Sequence, residues 1–493
     1  MAIMNRNSNI QHGMYYSSHL NKYKSAIQML CFGILGIIIG LLLNNASSII
    51  TFGLIGFVFF TFIAYYYPEK LIYILVFLLP FRLEWESDAV MGARVNVVDI
   101  IVITILVTHI IKIVINRSKS NDFTIHHKYI YLGYLFIRML TLFIYRAAEI
   151  IGKGGWVLLK VSALPLIYLI VSYSINDKRT LRRIVMLFLI SMGLVAILGI
   201  CQFTTGNRNL DISIGLARSE LLLARQLNNG IWHTTVPGTQ IMRAFGSFFA
   251  HNAFASFLSV TICITYGLLL NSGRRRTIFW IRVLLILQSL ALLFTFSRGG
   301  WMATIGGLMI ISLLSKRKQI VYLLISLGLI ILILSMLGSS NYFVHRVTSI
   351  FSPTEQGEFT GRMDVWKAYG ERVLKNPLLG SGNMGFLSTD FKKGVNIHTP
   401  HNNLICIAYE SGVLGLFCYL FIVLFMFRDN FFLINTSRDN FTRGLSIGII
   451  GGIVSYNIAG MFEVLFYNIQ HESLFWFMFG VTAVLLKLNH IKA

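Results

Sequence analysis

Acidic side chains are few: 20 Asp and Glu in 493 residues, against 42 Lys and Arg. Charged residues of either sign make up only 13%, where a soluble chain of this length carries about a quarter. That shortage excludes an ordinary soluble globular protein. Cysteine is also sparse. Cys31, Cys201, Cys263, Cys406 and Cys418 fall in or beside apolar segments, with no CxxC or Cys/His spacing. Neither a disulfide framework nor a metal site is expected. There is no strong internal repeat, and no loop is long enough to form an independent domain with its own core.

What is abundant is apolar sequence, 55% of the chain. Long apolar segments recur near 25–45, 47–67, 69–82, 94–116, 127–145, 153–175, 181–203, 245–270, 277–297, 299–315, 319–338, 403–427, 441–462 and 471–488. A hydrocarbon core ~30 Å thick takes about 20 helical residues. The chain therefore reads as an all-α polytopic membrane protein with about 12–14 transmembrane helices. Segment 69–82 is short, and reads as re-entrant or tilted. The polar stretch up to Lys24 followed by apolar sequence reads as a first membrane helix rather than a cleaved signal peptide.

The net charge of +22 would suggest nucleic acid as partner in a soluble protein. Here the basic residues cluster between apolar segments, as in Lys178, Arg179, Arg182 and Arg183, in Arg274 to Arg276, and in Lys316 to Lys318. That is the pattern of cytoplasmic loops, with anionic lipid headgroups rather than nucleic acid beside them. With the N-terminus placed in the cytoplasm, the basic loops at 117–128, 176–183, 271–276, 316–318 and 428–440 and the C-terminus all fall inside. The two longest loops then fall outside. The expected organisation is N-terminal transmembrane helices over 1–203, a first extracytoplasmic loop over 204–243, central helices over 244–338, a large extracytoplasmic loop over 339–402 and C-terminal helices over 403–493.

Two stretches in these outer loops read as short amphipathic helices. In 361–376, Val365, Trp366, Tyr369 and Val373 share a face at helical spacing, which suits a helix lying on the membrane surface. Packing on the membrane domain would explain Trp366 and Tyr369 equally well. Segment 212–226 is the weaker case.

Outer loops usually carry few basic residues, yet these hold arginines and the first holds no lysine. The first has Arg208, Arg218, Arg225 and Arg243; Arg298 follows Ser297 at the outer end of a helix; the second loop adds Arg346, Arg362 and Arg372. Arginine forks onto phosphate and carboxylate, so an outward set near the bilayer boundary fits an anionic ligand such as a lipid-linked diphosphate. Pairing with Glu220, Glu355, Glu358, Asp364 or Glu371 is the plainer explanation for each taken alone. The second loop ends in His398-Thr-Pro-His401-Asn402-Asn403. A histidine there can act as a general base, though a lone histidine is more often structural, and Asn402 is placed to cap the next helix. Within the apolar segments lie Asp99, Arg138, Lys160 and Glu410. A pair between Asp99 and Arg138 would satisfy both, and Glu410 reads as a packing residue.

Taken together and in order, several pieces resemble the O-antigen ligase and polysaccharide polymerase superfamily. They are Arg243-Ala-Phe-Gly246 through Asn252, Ser297-Arg298-Gly-Gly-Trp301, Gly361-Arg362 through Trp366, Asn376-Pro377-Leu-Leu-Gly380-Ser-Gly382, His401-Asn402-Asn403-Leu404 and Glu410-Ser-Gly412-Val-Leu-Gly415. The resemblance covers about 243–415. It implies a GT-C-like, metal-independent, inverting glycosyltransferase of the bacterial cytoplasmic membrane, with no cofactor and an extracytoplasmic site. Such enzymes move a glycan from an undecaprenyl-diphosphate carrier to a sugar hydroxyl. In polymerases that hydroxyl belongs to another lipid-linked glycan, and in ligases to lipid A core. The polymerase reading is favoured on the family's makeup and the modest loops. By position His401, Arg298 and Arg243 match catalytic roles, and Arg362, Asn402, Arg225, Arg218 and His398 fall to substrate binding. A flippase and a chain-length regulator are expected partners. A polysaccharide transporter is the competing class, but the polar signal lies at the outer surface rather than the midplane. A scaffolding protein would not need the arginines.

Overall fold

A computed structural model describes residues 68–81, 84–87, 93–116, 127–152, 156–206, 242–315, 358–382, 400–466 and 468–489. The elements are, in chain order, α1 (Pro68–Leu78), β1 (Glu84–Ser87), β2 (Ala93–Asn96), α2 (Val97–Asn116), α3 (Lys128–Gly152), α4 (Trp156–Ser174), α5 (Lys178–Thr205), α6 (His251–Leu270), α7 (Arg275–Phe294), α8 (Arg298–Ser315), α9 (Glu358–Lys375), α10 (Asn403–Thr436), α11 (Asn440–Gly460) and α12 (Ile469–Leu488). The architecture is the expected all-α polytopic one. Five of these helices, α5, α6, α7, α10 and α12, are long and apolar enough to cross a membrane. The apolar segments near 25–45, 47–67 and 319–338 lie outside the described residues, as does segment 212–226.

Several boundaries differ from the hydropathy reading. A short antiparallel hairpin, Glu84 opposite Asn96 through Ser87 opposite Ala93, occupies the gap before α2. The basic run at 178–183 is the start of α5 rather than a loop. Its cap, Asp177, accepts the backbone N–H groups of Arg179 and Thr180. The hydroxyl and N–H of Thr180 hold the Asp177 carboxyl below its ordinary range, which places a negative charge at a helix start otherwise crowded with cations. α10 likewise runs through 428–436 before the chain turns. α1 has only 11 residues, about 16 Å of helix, in keeping with its short apolar segment.

Close packing comes from small residues. A Cβ on Gly267 of α6 would sit 2.5 Å from the Gly448 backbone of α11, and α8 joins the same contact through Gly307 and Gly451. Small residues let helix backbones approach where lipid offers no hydrophobic drive. α12 is buried nearly all round, with Trp476 fully enclosed among Tyr131, Tyr134, Phe466 and Phe475. The charge of Arg138 on α3 is met by Glu472 in the first turn of α12, Nη1 to Oε1 at 2.5 Å. Trp476 Nε1 donates to the same oxygen at 3.3 Å. The sequence had suggested Asp99 for this pairing; Asp99 is itself buried.

The bundle has two chemically distinct ends. At one, Arg182 pairs with Asp439 at 2.9 Å, Lys178 donates to Asn489, and Lys487 donates to Asn176 at 2.6 Å. The basic runs of α5, of the α10–α11 connection and of the C-terminal end of α12 thus gather together. At the other end lie the 242–250 segment, the start of α8, the 376–382 turn and the start of α10.

Candidate active site

Residues 242–250 are not helical, although the apolar segment read from hydropathy starts at 245. Gly246 has φ +55, and its Cβ would meet Val195 and Phe254. The stretch is held by Gln202 of α5. That side chain accepts from the N–H of Gly246 at 2.8 Å and donates to its carbonyl at 2.9 Å. The N–H of Ala244 donates to Phe294 O at 2.8 Å, tying the stretch to the end of α7. Buried irregular backbone survives only where protein groups meet its hydrogen bonds, and Gln202 supplies that here. Arg243 is consequently almost fully buried, with Nη1 2.7 Å from His251 Nε2.

The neighbouring residue, Asn252, connects this segment to the second arginine. Its Oδ1 accepts from Ser297 Oγ at 2.8 Å, and Ser297 precedes Arg298, the first residue of α8. Phe296, with φ +51, turns the chain into that helix, and Thr295 Oγ1 accepts the Ser297 N–H. Arg298 is half-buried. One residue on, the Gly299 Cα faces the Phe462 side chain, in the turn between α11 and α12. The next residue in that turn, Glu463, stands opposite His401, Oε1 to Nδ1 at 3.8 Å. Arg243, Arg298 and His401 are therefore joined by a continuous set of contacts at one end of the bundle.

His401 occupies a tightly fixed junction. Its φ is +44, uncommon for a residue with a side chain. On its C-terminal side Asn402 Oδ1 caps α10, accepting from the N–H groups of Leu404 and Ile405 at 3.0 and 3.2 Å. Asn403 Oδ1 accepts from Phe466 N–H at 2.9 Å, pinning the α11–α12 turn. On the N-terminal side the Pro400 carbonyl accepts from Trp366 Nε1 of α9 at 2.7 Å. The face of α9 expected from its spacing is the one that packs inward: Tyr369 is buried and meets the Tyr409 ring edge-on at 5.0 Å. Burial pushes the Tyr369 phenol above its ordinary range, with Cys406 and Tyr409 adding to the effect. Arg362 lies half-buried near the start of α9. Since Asn402 spends its oxygen on the cap, Asn402→Ala is expected to cost about 1 kcal/mol. Asn402→Asp should retain that stability, and thermal unfolding in detergent would compare them.

The turn after α9 explains two of the sequence motifs at once. α10 is broken at Gly412, which has φ 65 and ψ −171. The 376–382 turn docks into that break. The N–H groups of Ser381 and Gly382 donate to Tyr409 O and Glu410 O at 2.8 and 3.0 Å, and Val413 N–H donates to Pro377 O at 2.8 Å. A Cβ on Gly380 would lie 2.5 Å from Gly412 N, so the two glycines face each other. The Asn-Pro-Leu-Leu-Gly-Ser-Gly and Glu-Ser-Gly-Val-Leu-Gly motifs are thus two halves of one backbone joint. Glu410 is buried at this joint.

Arg208, Arg218, Arg225, Arg346 and His398 lie outside the described residues. Sequence reasoning did not single out Gln202, His251 or Glu463, and it named Asn403 only as part of a motif. Gln202, Asn403 and Glu463 act on partners far away in the chain, a relation that spacing does not carry, while His251 meets Arg243 eight residues back. The described residues contain no group of three or more His, Cys, Asp or Glu that could hold a metal ion.

Residues 283–420 match the O-antigen ligase family. This span takes in Arg298, Arg362, His401 and the joint at Gly412, and leaves Arg243 upstream. Over 254 residues the chain is 28% identical to a protein of Rickettsia felis named "Putative polysaccharide ligase", covering 47% of this chain and 56% of that one. A protein of Rickettsia typhi with the same descriptive name is 27% identical over 226 residues, covering 41% of this chain and 52% of that one. The chain spans about half the length of the curated relatives it matches. These likenesses set the 283–420 segment beside the O-antigen ligase family and proteins named as polysaccharide ligases.

Proposed function

From the likeness of residues 283–420 to the O-antigen ligase family, we propose that this chain is an inverting glycosyltransferase. It moves a glycan from a polyprenyl-diphosphate carrier to a sugar hydroxyl at the extracytoplasmic face of the cytoplasmic membrane. The carrying observation is the contact path that brings the Arg243 and Arg298 segments and His401 to one end of the bundle, opposite the end where the basic runs gather. The positive-inside rule makes the basic end cytoplasmic, which puts the arginines and His401 outside.

The chemistry follows from the side chains. His401 takes the proton of the acceptor hydroxyl. The oxygen attacks the anomeric carbon from the face opposite the diphosphate, and the bond from that carbon to the phosphate oxygen breaks. The electron pair leaves with the polyprenyl diphosphate, and His401 later returns its proton to water. Arg243 and Arg298 stabilise the charge that builds on the leaving group. Arg362, with Arg218, Arg225 and His398, serves donor and acceptor binding. The diphosphate is itself the leaving group, so the reaction draws on no nucleotide.

The test uses purified protein in liposomes with a polyprenyl-diphosphate-linked oligosaccharide, a chelator and no nucleotide. A ladder of lengthening lipid-linked glycans identifies a polymerase. Transfer only upon addition of lipid A core or another acceptor identifies a ligase, the reading that the names of the Rickettsia relatives favour. Movement of the lipid-linked sugar across the membrane without transfer would replace the enzyme reading with a flippase. Arg243→Ala, Arg298→Ala and His401→Ala are each expected to lower transfer by roughly 10²–10⁴-fold. Full transfer by all three, each folded and inserted, would sink the assignment.

A further inference from the structure

We propose that Glu463 is the positioning residue of His401. Its carboxylate holds the ring Nδ1–H and thereby reserves Nε2 to receive the acceptor proton. The inference rests on the reading of His401 as the base.

Three observations carry it. First, Glu463 Oε1 stands 3.8 Å from His401 Nδ1. That is longer than a hydrogen bond, and closing it takes a movement of about 1 Å. Hydrogen bonds of catalytic groups are often long in free enzymes and tighten when substrate is bound. Second, Nδ1 is buried without a hydrogen-bond partner, while the His401 side chain as a whole is 42% exposed. Its exposure therefore belongs to the rest of the ring, and the nitrogen facing Glu463 is the one turned away from solvent. A buried ring nitrogen left unmatched costs free energy, which donation to Glu463 would relieve. Third, both partners are anchored by backbone. His401 lies between Pro400, whose carbonyl Trp366 holds, and the Asn402 cap. The N–H of Glu463 donates to Ala459 O at 3.1 Å, at the end of α11. The left-handed backbone of His401 is strain of the kind that persists where surrounding structure fixes a functional group.

A carboxylate on one imidazole nitrogen selects the tautomer in which the other nitrogen accepts. The two side chains are 42% and 25% exposed, and a partly exposed ion pair of no further purpose contributes little. The two roles therefore differ in kinetics rather than in stability.

The experiment measures kcat and KM for glycan transfer by Glu463→Gln, Glu463→Asp, His401→Ala and the double variant His401→Ala/Glu463→Gln. Each is checked for a single folded species by size-exclusion chromatography. Glu463→Gln is expected to lower kcat about 10-fold, a fraction of the roughly 10²–10⁴ that a general base supplies, with KM little changed. Glu463→Asp, which keeps a carboxylate, should retain more activity than Glu463→Gln. The double variant should be no slower than His401→Ala alone, because a residue acting through His401 has nothing left to act on. A wild-type kcat for Glu463→Gln would overturn the proposal, as would losses that multiply in the double variant. Should Glu463→Gln fail to fold, the same cycle run with Glu463→Asp decides the matter: a kcat loss that persists without His401 rejects it. A fully active His401→Ala would instead reject the base reading itself, a distinct outcome.

Discussion

Gly412→Ala is expected to yield protein that aggregates or unfolds well below the wild type. Two independent costs coincide at this position. Its backbone, at φ 65 and ψ −171, lies in a region essentially confined to glycine, at a cost of about 1–3 kcal/mol for any other residue. The added Cβ would also collide with the carbonyl of Leu378 and lie 2.5 Å from Leu379 N. These are backbone atoms of the docked turn and cannot swing aside, so overpacking adds roughly 1–3 kcal/mol. Retreat of the turn would also unmake the hydrogen bonds that close the break in α10. Gly370→Ala is the control: it lies within α9, and a Cβ there meets nothing within 4 Å. It should be neutral or stabilising by about 0.5–1 kcal/mol. Thermal unfolding in detergent measures both, and equal stability of the two variants would mean the turn does not occupy the break.

The second large effect lies at Arg138. Both members of its pair with Glu472 are buried, so removing one leaves the other charge enclosed and uncompensated, at about 3–5 kcal/mol. Arg138→Met should show that loss. Adding Glu472→Gln should recover most of it, since glutamine is neutral and still offers an oxygen to Trp476, which donates to Oε1 at 3.3 Å. The expected signature is a double variant more stable than the Arg138 single variant. Additive losses would show that the two side chains do not depend on each other.

The elements whose burden is local were legible in the sequence. Apolar length located the five helices long and apolar enough to cross a membrane, because a helix in lipid satisfies its own backbone. The 3.6-residue spacing of Val365, Trp366, Tyr369 and Val373 marked the inward face of α9, and Asn402 was placed as a cap by position alone. Legibility failed wherever a tertiary partner decides. The 245–250 stretch is apolar enough to read as helix, and the amide of Gln202 holds it on another course. The start of α5 read as loop because of its cations, which Asp177 and Asp439 offset. The two glycine motifs were visible, but not that each fills the other. Arg138 was seen as needing an acid and Asp99 was the one expected; its partner is Glu472, 334 residues away.

That last separation has a bearing on how the protein is made. As the ribosome feeds helices into the bilayer in chain order, α3 enters with its guanidinium long before its counter-charge exists. Until α12 emerges, the growing chain carries an arginine that must seek water, lipid headgroups or a temporary partner. Arrival of α12 ends that state, so the pair marks the joining of α3 to α12. Chains truncated before α12 would leave the Arg138 charge without its partner, exposed to water or lipid headgroups.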